Sequence, residues 1–400
     1  MAEIPDEASQ HRTAAQMIAD RHSRRPHIAL DCRYIGPQPS GIGEVVAALA
    51  QHLPQLAPEY DFTFLRAARH PHALSNAANV RELVVRSPAN GPVTLLHLPL
   101  AVDLSGIDLF HAPANILPGG LTMPAITTVH DVMWLTHPKW CNPRLWGLIE
   151  RHFYGHGIRR ALARSALVAT VSEASRAAIT AIAPEAAERV IVTRSGVSAD
   201  FRPVPRDQAA LEQIGIPLGR RYILVVGQSA PYKNHEGALC AFALAFGDRP
   251  GIDLVMVQRR GDGGVSARHL ADALGLAGRV HLLPPLDRAA LVQLYAGAAA
   301  LLHPSFIEGF GNPLAEAMAC GCPVITSDCS AMPEVTGGAA LLADPHDHGA
   351  IAAALRQVVG NSVLADDLRR RGLERAGALD WRQFAADNLA LYRRVLGASA

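Results

Sequence analysis

The chain has little that would place it inside a membrane or on a nucleic acid. No apolar run in its 400 residues approaches the roughly 18 residues that are needed to cross a bilayer. The formal net charge of +1 provides no general attraction to a polyanion, so we expect no nucleic-acid partner. The N-terminal segment, residues 1–25, is polar and lacks an apolar core, so we interpret it as a tail and not as a signal peptide.

The cysteines form no disulfide framework. All six are scattered, and several lie in segments that we predict to be buried. This pattern favours a reducing compartment, so we expect a cytoplasmic protein. Cys320 and Cys322 form the only close pair, and since no second pair or nearby histidine accompanies them, we interpret them as core residues and not as a zinc site.

Length and periodicity predict two α/β domains. A chain of 400 residues exceeds what one hydrophobic core usually supports. Short apolar runs alternate with helical stretches, which predicts parallel strands at 27–30, 125–129, 166–170, 190–193, 222–226, 252–257, 280–283, 299–302 and 324–326. The segment 196–207 has two prolines and little periodicity, so we expect an interdomain linker there. Two doubly wound, Rossmann-like domains would face each other across a cleft, with ligands at the carboxyl ends of the strands.

The most informative stretch runs from Ser305 to Gly321 and places two glutamates around a glycine-rich turn. Pro313 suits the first position of a helix, and Glu316 then lies in or near its first turn. Because a helix start has unpaired backbone N–H groups and a partial positive charge, it can bind a phosphate. Glu308 and Glu316 are better suited to accept hydrogen bonds from the hydroxyls of a sugar or a ribose. The alternative at this point is that Glu316 only stabilises the helix dipole.

This stretch resembles the donor-site signature of family-4 retaining glycosyltransferases with the GT-B fold. It has the two glutamates in a Glu-x7-Glu arrangement, Glu-Gly-Phe-Gly-Asn-Pro at 308–313, and Gly-Cys-Pro-Val-Ile at 321–325. The resemblance covers roughly residues 31–392. It implies an N-terminal acceptor-binding domain at 26–203, a C-terminal donor-binding domain at 204–380, and a helix at 381–400 that crosses back onto the first domain.

The resemblance implies a donor site in the second domain. Glu308 would bind the transferred sugar and steady positive charge at its anomeric carbon, and Glu316 would hold the ribose. Lys233 would stabilise the departing diphosphate, although a single lysine is by default a solvated surface residue. The remaining implied donor contacts in this domain are Asn234, Gly309, Phe310, Gly311, Asn312, Pro313 and Leu314.

Charge at the diphosphate is the point where the chain departs from the family. Gln228 stands where the family often has an arginine. Arg259 and Arg260 follow the next strand and could compensate, or they are solvated loop residues. From the first domain, Gly41 and Gly43 would meet the diphosphate across the cleft, because glycines let a backbone approach a ligand closely.

His130 and Asp131 close a predicted strand of the first domain and should therefore point into the cleft. A histidine after an apolar strand is more often a core residue, but here the His-Asp pair resembles the family segment that lies beside the transferred sugar or the acceptor. We therefore favour a catalytic role for His130. His111, Ser172 and Glu173 also resemble family positions, and we expect them at the acceptor side of the cleft.

The resemblance implies a front-face substitution without a metal ion or other cofactor. No Asp-x-Asp occurs to clamp a metal on the diphosphate, so the leaving-group charge would be met by Lys233, helix N-termini and backbone amides. The chain is similar to bacterial mannosyltransferases of surface polysaccharide and lipopolysaccharide assembly. We therefore expect a hexose donor, most simply GDP-mannose, and a saccharide or polyprenyl-linked saccharide as the acceptor.

The stretch 139–164 has six basic side chains against the single acid Glu150, interleaved with aromatic residues. Such a helix can contact an anionic membrane, here the cytoplasmic face of the inner membrane, or it can be an ordinary solvated helix. Two other function classes stay open: a sugar-nucleotide epimerase on the same architecture, and a non-catalytic nucleotide-sugar-binding or scaffold protein, which Gln228 would favour.

Overall fold

The computed structural model describes residues 24–36, 40–217, 219–259 and 263–397, and in them the chain forms two parallel β-sheets. The first sheet has the strand order β3-β2-β1-β4-β5-β6-β7. Its strands are β1 His27–Leu30, β2 Asp61–Ala67, β3 Val80–Val85, β4 Leu109–Ala112, β5 Ala125–Thr128, β6 Leu167–Thr170 and β7 Val190–Val192. The N-terminal tail that we predict at 1–25 lies almost wholly outside the described residues.

The second sheet has the order β10-β9-β8-β11-β12-β13. Its strands are β8 Arg221–Gln228, β9 Ile252–Arg259, β10 Val280–Leu283, β11 Ala300–His303, β12 Val324–Ser327 and β13 Ala340–Ala343. Every strand pair in both sheets is parallel. The prediction of two Rossmann-like domains is therefore confirmed.

Helices lie in most connections between consecutive strands, whereas loops join β2 to β3 and β4 to β5. Those of the first half are α1 Gly41–Leu56, α2 Pro92–His97, α3 Met133–Thr136, α4 Pro138–Cys141, α5 Trp146–Arg164 and α6 Glu173–Ile182. Those of the second half are α7 Gln208–Gln213, α8 His235–Phe246, α9 Gly263–Ala273, α10 Arg288–Gly297, α11 Asn312–Ala319, α12 Met332–Thr336, α13 His348–Gly360, α14 Ser362–Gly377 and α15 Trp381–Leu396. No described helix has the length and apolar character of a membrane span.

All nine strands that we predict are present, with ends that differ by up to two residues, and four further strands are missing from the prediction. β2 contains an aspartate and an arginine, which interrupt its apolar run. β3 lies at the edge of its sheet and is half exposed, and β13 likewise forms the edge of the second sheet. β4 is fully buried, but it is only four residues long and contains a histidine.

The last helix, α15, packs against the first domain. Phe384, Leu389 and Tyr392 share a buried core cluster with residues of β1 and α1, such as Leu30 and Leu49. The predicted return of the C-terminal helix is therefore confirmed. Residues 193–207, which include the predicted linker, form neither helix nor strand.

Candidate functional site

A cavity of about 520 Å³ lies between the two domains, at the carboxyl ends of the strands. Gly227 and Gln228 reach it from the end of β8, and His130 reaches it from the end of β5. The glycine-rich turn at 308–313 reaches it after β11. The cavity therefore lies at the edge of the sheets where we expect the site.

Glu308 lies at the centre of a buried hydrogen-bonded cluster on the second domain. Its Oε1 atom accepts hydrogen bonds from Lys233 Nζ at 2.6 Å, His303 Nε2 at 2.9 Å and Ser305 Oγ at 2.8 Å. Ser330 holds the Glu308 backbone, because its hydroxyl donates to the Glu308 carbonyl and accepts from the Glu308 N–H. The carboxylate is therefore fixed in one orientation before any ligand arrives.

Charge in this cluster is set by burial and by the Lys233–Glu308 pair. Burial alone favours the neutral form of Glu308, but the Lys233 ammonium and the hydrogen bond from His303 outweigh it and lower the pKa of Glu308 to about 2. Burial also lowers the pKa of His303, although its bond to Glu308 opposes this shift. At neutral pH Glu308 is thus a carboxylate, and His303 is a neutral imidazole that donates through Nε2.

Lys233 is buried, so the default interpretation of a solvated surface lysine is wrong. Only 9% of its surface is exposed, and its ammonium lies over the ring of Tyr232, 5.2 Å from the ring centroid. A turn of 3₁₀-helix at 231–233 brings this side chain back towards Glu308.

His130 and Asp131 line the opposite side of the cavity, on the first domain. His130 Nε2 is 2.8 Å from the Pro113 carbonyl, which can only accept, so Nε2 carries the proton and the lone pair is on Nδ1. Burial lowers the pKa of His130. Burial raises the pKa of Asp131 to about 6, with a further contribution from the nearby Glu308 carboxylate. Asp131 Oδ1 accepts a bond from the Met133 N–H.

Two helix N-termini face each other across the cavity. Gly41 opens α1 and Asn312 opens α11, and a Cβ built on Gly41 would lie 3.5 Å from the Asn312 side-chain amide. Gly311 precedes α11 with φ of +92°, a conformation that favours glycine. Pro313 is the second residue of α11 and not the first, and Glu316 lies one turn further on, because the helix begins at Asn312. The two starts together present backbone N–H groups to an anion in the cavity.

Gly309 lies directly against the backbone of the first domain. A Cβ at this position would overlap the carbonyl oxygen of His130. The Gly309 carbonyl accepts hydrogen bonds from Ser172 Oγ at 2.7 Å and from Ser175 Oγ at 3.3 Å. Nearby, Glu334 accepts a bond from the N–H of Glu173 at the start of α6. The second domain therefore docks on the first through a residue of the glycine-rich turn.

Phe310, Asn312, Pro313 and Glu316 also line the cavity, as predicted. Glu316 Oε2 accepts a hydrogen bond from Tyr295 Oη at 2.7 Å. In the described residues, no three His, Cys, Asp or Glu side chains are grouped as metal ligands.

Three of the predicted donor-site residues do not line the cavity. Asn234 has φ of +53° and caps α8, and its side-chain amide donates to the Pro304 and Pro345 carbonyls. Leu314 is fully buried in the core of the second domain. Gly43 leaves room for the Ser40 hydroxyl, which caps α1 by accepting from the Gly43 N–H. These residues shape the loops and helix starts around the cavity.

Three expected acceptor-side residues also lie outside the cavity. His111 is fully buried, with Nδ1 at 2.6 Å from Tyr392 Oη and Nε2 at 2.9 Å from Thr128 Oγ1. Ser172 binds Gly309 as described, and Glu173 is exposed beside Arg176. His111 therefore packs α15 onto the first domain, because Tyr392 of α15 covers it.

One arginine that lines the cavity is not among those that the sequence suggested. Gln228 lines the cavity and donates to Tyr232 Oη at 2.8 Å. Arg259 ends β9, but its side chain and residue 260 lie outside the described part of the chain. Arg288 lines the cavity instead, and its guanidinium donates to Glu44 of the first domain at 2.6 Å and to Asp200.

His303 and Ser305 of the second domain, which bond to Glu308, were also not predicted. Their signal is a histidine that ends an apolar strand, with a serine two residues later and a glutamate five residues later. Aromatic residues of the first domain that line the cavity, Tyr34, Trp134 and Tyr154, were also not predicted. They are far apart in the sequence, and no pattern joins them.

Comparisons with known proteins agree with this geometry. Residues 207–375 match the family model described as glycosyl transferases group 1. The chain is 30% identical to O-antigen chain mannosyltransferase B of Escherichia coli, over 71% of this chain and 74% of that protein. It is 32% identical to D-inositol 3-phosphate glycosyltransferase of Mycolicibacterium smegmatis, over 52% of this chain and 48% of that protein, so this match spans about half the relative's length. Sucrose-phosphate synthase from Thermosynechococcus elongatus superposes with a TM-score of 0.72 at 21% identity, over 94% of this chain and all of that chain, which shows the GT-B fold.

Proposed function

Because the chain belongs to the group 1 glycosyltransferases, we propose that it transfers a hexose, with retention, from a nucleotide diphosphate sugar to a saccharide hydroxyl. The observation that carries this proposal is the Glu308 cluster at the base of a cavity between two helix N-termini. These groups are suited to bind a sugar and an adjoining diphosphate.

The diphosphate of the donor binds between the starts of α1 and α11, next to Lys233. Its negative charge is matched by backbone N–H groups at Gly41 and Asn312 and by the Lys233 ammonium. Lys233 pairs with Glu308, so its ammonium is held in place as charge develops on the leaving group. No metal ion is required in this arrangement.

The transferred sugar lies between Glu308 on one domain and His130 on the other. The fixed Glu308 carboxylate accepts from sugar hydroxyls and stabilises positive charge at the anomeric carbon. His130 Nδ1, which carries a lone pair, accepts from a hydroxyl of the sugar or the acceptor. In the front-face reaction the bond from anomeric carbon to phosphate oxygen breaks, the acceptor oxygen bonds on the same face, and its proton moves to the departing phosphate.

The donor that we propose is GDP-mannose, and the transferred sugar is mannose. The support is the name of the E. coli relative, an O-antigen chain mannosyltransferase, which matches most of the chain. A lipid-linked saccharide is the acceptor on the same ground. Glu316, which lines the cavity and accepts a hydrogen bond from Tyr295, would hold the ribose.

The experiment is a donor panel. The protein is incubated with UDP-, GDP-, ADP- and dTDP-sugars and a membrane lipid extract, with EDTA in one arm, and free nucleotide diphosphate is measured. We expect release from GDP-mannose that survives EDTA and an α-linked product by NMR. Loss of release in EDTA contradicts the metal-free step, and a product with inverted configuration contradicts retention. Glu308→Gln should abolish release, whereas Glu374→Gln, with a side chain 79% exposed on α14, should not.

The start of α5 supports a peripheral contact with the cytoplasmic face of the inner membrane. Leu145, Leu148 and Ile149 are 87%, 58% and 56% exposed. The exposed basic residues Lys139 and Arg151 lie in the same segment. Apolar side chains flanked by cations can insert at an anionic bilayer surface.

Vesicle co-sedimentation tests this contact. Vesicles that contain phosphatidylglycerol should sediment the wild-type protein, and the double variant Leu148→Ser, Ile149→Ser should stay in the supernatant. The matched control removes two exposed apolar residues elsewhere, Leu244→Ser and Val363→Ser, which are 60% and 78% exposed. Equal binding by both double variants would contradict a role for α5.

A further inference from the structure

The first-domain wall of the cavity contains a group of aromatic side chains that the donor chemistry does not use. Trp134 on α3 and Tyr154 on α5 are stacked, with ring centroids 4.8 Å apart and ring planes inclined by 16°. Both rings are half-buried and both line the cavity. A stacked pair that served only the core would be covered, whereas this one borders open space.

Polar groups lie on the same wall. Tyr34 and Asn90 line the cavity, and the Tyr34 hydroxyl donates to Asn90 Oδ1 at 2.8 Å, a bond that does not use the Asn90 amide nitrogen. Asp131 is the other polar group, and its Oδ2 atom has no hydrogen bond to any residue that the structure describes. The wall therefore offers an apolar ring face, a hydroxyl, an amide and a carboxylate.

This combination fits a pyranose ring. A sugar presents C–H groups on one face and hydroxyls around its edge, so an aromatic ring can cover the face while amide and carboxylate groups bond the edge. A prenyl chain would need no such polar groups, and a phosphate would be repelled by Asp131. This wall lies close to Glu308, because the Glu308 carboxylate is near enough to Asp131 to contribute to the raised pKa of Asp131.

We propose that Trp134 and Tyr154, with Tyr34, Asn90 and Asp131 at the edge, form an acceptor subsite that stacks one pyranose ring of the saccharide. This inference rests on the proposed transfer reaction and adds to it the chemistry of the group that enters the cleft. The acceptor presents a sugar ring, and not a bare lipid phosphate, to the donor.

Saturation-transfer NMR tests the subsite without requiring turnover. The full chain is mixed with the methyl α-pyranosides of mannose, glucose, galactose and N-acetylglucosamine, with and without GDP or UDP. We expect transfer from protein to the ring C–H groups of at least one glycoside. Trp134→Ala should lower the affinity for that glycoside by about tenfold. Trp134→Phe should lower it by less, because a smaller ring remains.

The control is Phe153→Leu, because Phe153 packs on Tyr154 at 5.3 Å between centroids but does not line the cavity. This variant should bind the glycoside as the wild type does, and circular dichroism checks that each variant folds. Equal binding by Trp134→Ala and the wild type, or no glycoside contact with a wild-type protein that binds nucleotide, overturns the subsite. Glycoside binding that depends on Trp134 without nucleotide release from any donor supports the subsite and contradicts the transfer reaction instead.

Discussion

Gly309→Ala should weaken the closed contact between the domains and leave nucleotide binding nearly unchanged. The added Cβ overlaps the His130 carbonyl oxygen, which is backbone and cannot move aside as a side chain would. The domains must therefore separate at this point, and the hydrogen bonds from Ser172 and Ser175 to the Gly309 carbonyl weaken. If each bond contributes about 0.5–1.5 kcal/mol, closure loses about 1–3 kcal/mol, which lowers the closed population roughly 5- to 150-fold.

The assay separates turnover from binding. Turnover is measured as nucleotide diphosphate release, and nucleotide affinity is measured by titration calorimetry. We expect kcat to fall by roughly 5- to 150-fold. Nucleotide affinity should change by less than about threefold, because the proposed nucleotide contacts, Lys233 and the start of α11, both belong to the second domain. Small-angle scattering with nucleotide bound should show a larger radius of gyration for the variant.

A matched control is Gly377→Ala at the end of α14, where a new Cβ would meet no atom within 4 Å. Its kcat, affinity and radius should equal those of the wild type. If Gly309→Ala keeps kcat within about twofold of the wild type, catalysis does not require the observed closed contact and the reasoning is refuted.

Three further predictions concern charge in the cavity. Lys233→Ala should lose stability as well as turnover, by about 3 kcal/mol in urea unfolding, since it leaves the buried Glu308 without its cation; unchanged stability would contradict the pair. The folded-state pKa of Glu308 is lowered from 4.5 to about 2, so its contribution to stability is present above pH 4.5 and is lost as the pH falls towards 2. Between pH 4.5 and pH 2 the free energy of unfolding should change less with pH for Glu308→Gln than for the wild type. An equal pH dependence in the two proteins would refute the assignment. Because the pKa of Asp131 is raised to about 6, kcat/KM should decline as the pH falls below 6. Asp131→Asn should lack this decline, and a variant that keeps it would exclude Asp131 as its source.

The sequence predicts much of the second-domain lining of the cavity, because these residues are close together in the chain. Glu308, the glycine-rich turn and the start of α11 follow one another directly, so their spacing fixes their geometry. Lys233 ends the loop after β8, and β8 lies beside β11 in the sheet, so topology alone brings it to Glu308. Its burial was not predictable, because the 3₁₀ turn that directs it inward has no sequence signature.

The first-domain half depends on contacts between distant parts of the chain. His111 is covered by Tyr392, which is 281 residues away, so no local pattern could show that this histidine is not at the cleft. Trp134 and Tyr154 meet through two helices whose packing is set by the tertiary structure. Asn234 illustrates a third cause, since its left-handed conformation turns a predicted ligand into a helix cap.

Because α15 is near the end of the chain, it affects the order in which the two domains can fold during synthesis. The first domain's core contains Phe384, Leu389 and Tyr392, yet the ribosome makes these residues after the whole second domain. The first domain therefore cannot complete its core until α15 is made, and Leu30 and Leu49 stay partly uncovered until then. The second domain can complete its own core earlier. A chain released before residue 381 would have a folded second domain and an incomplete first domain, which exposes apolar surface to aggregation and to proteases.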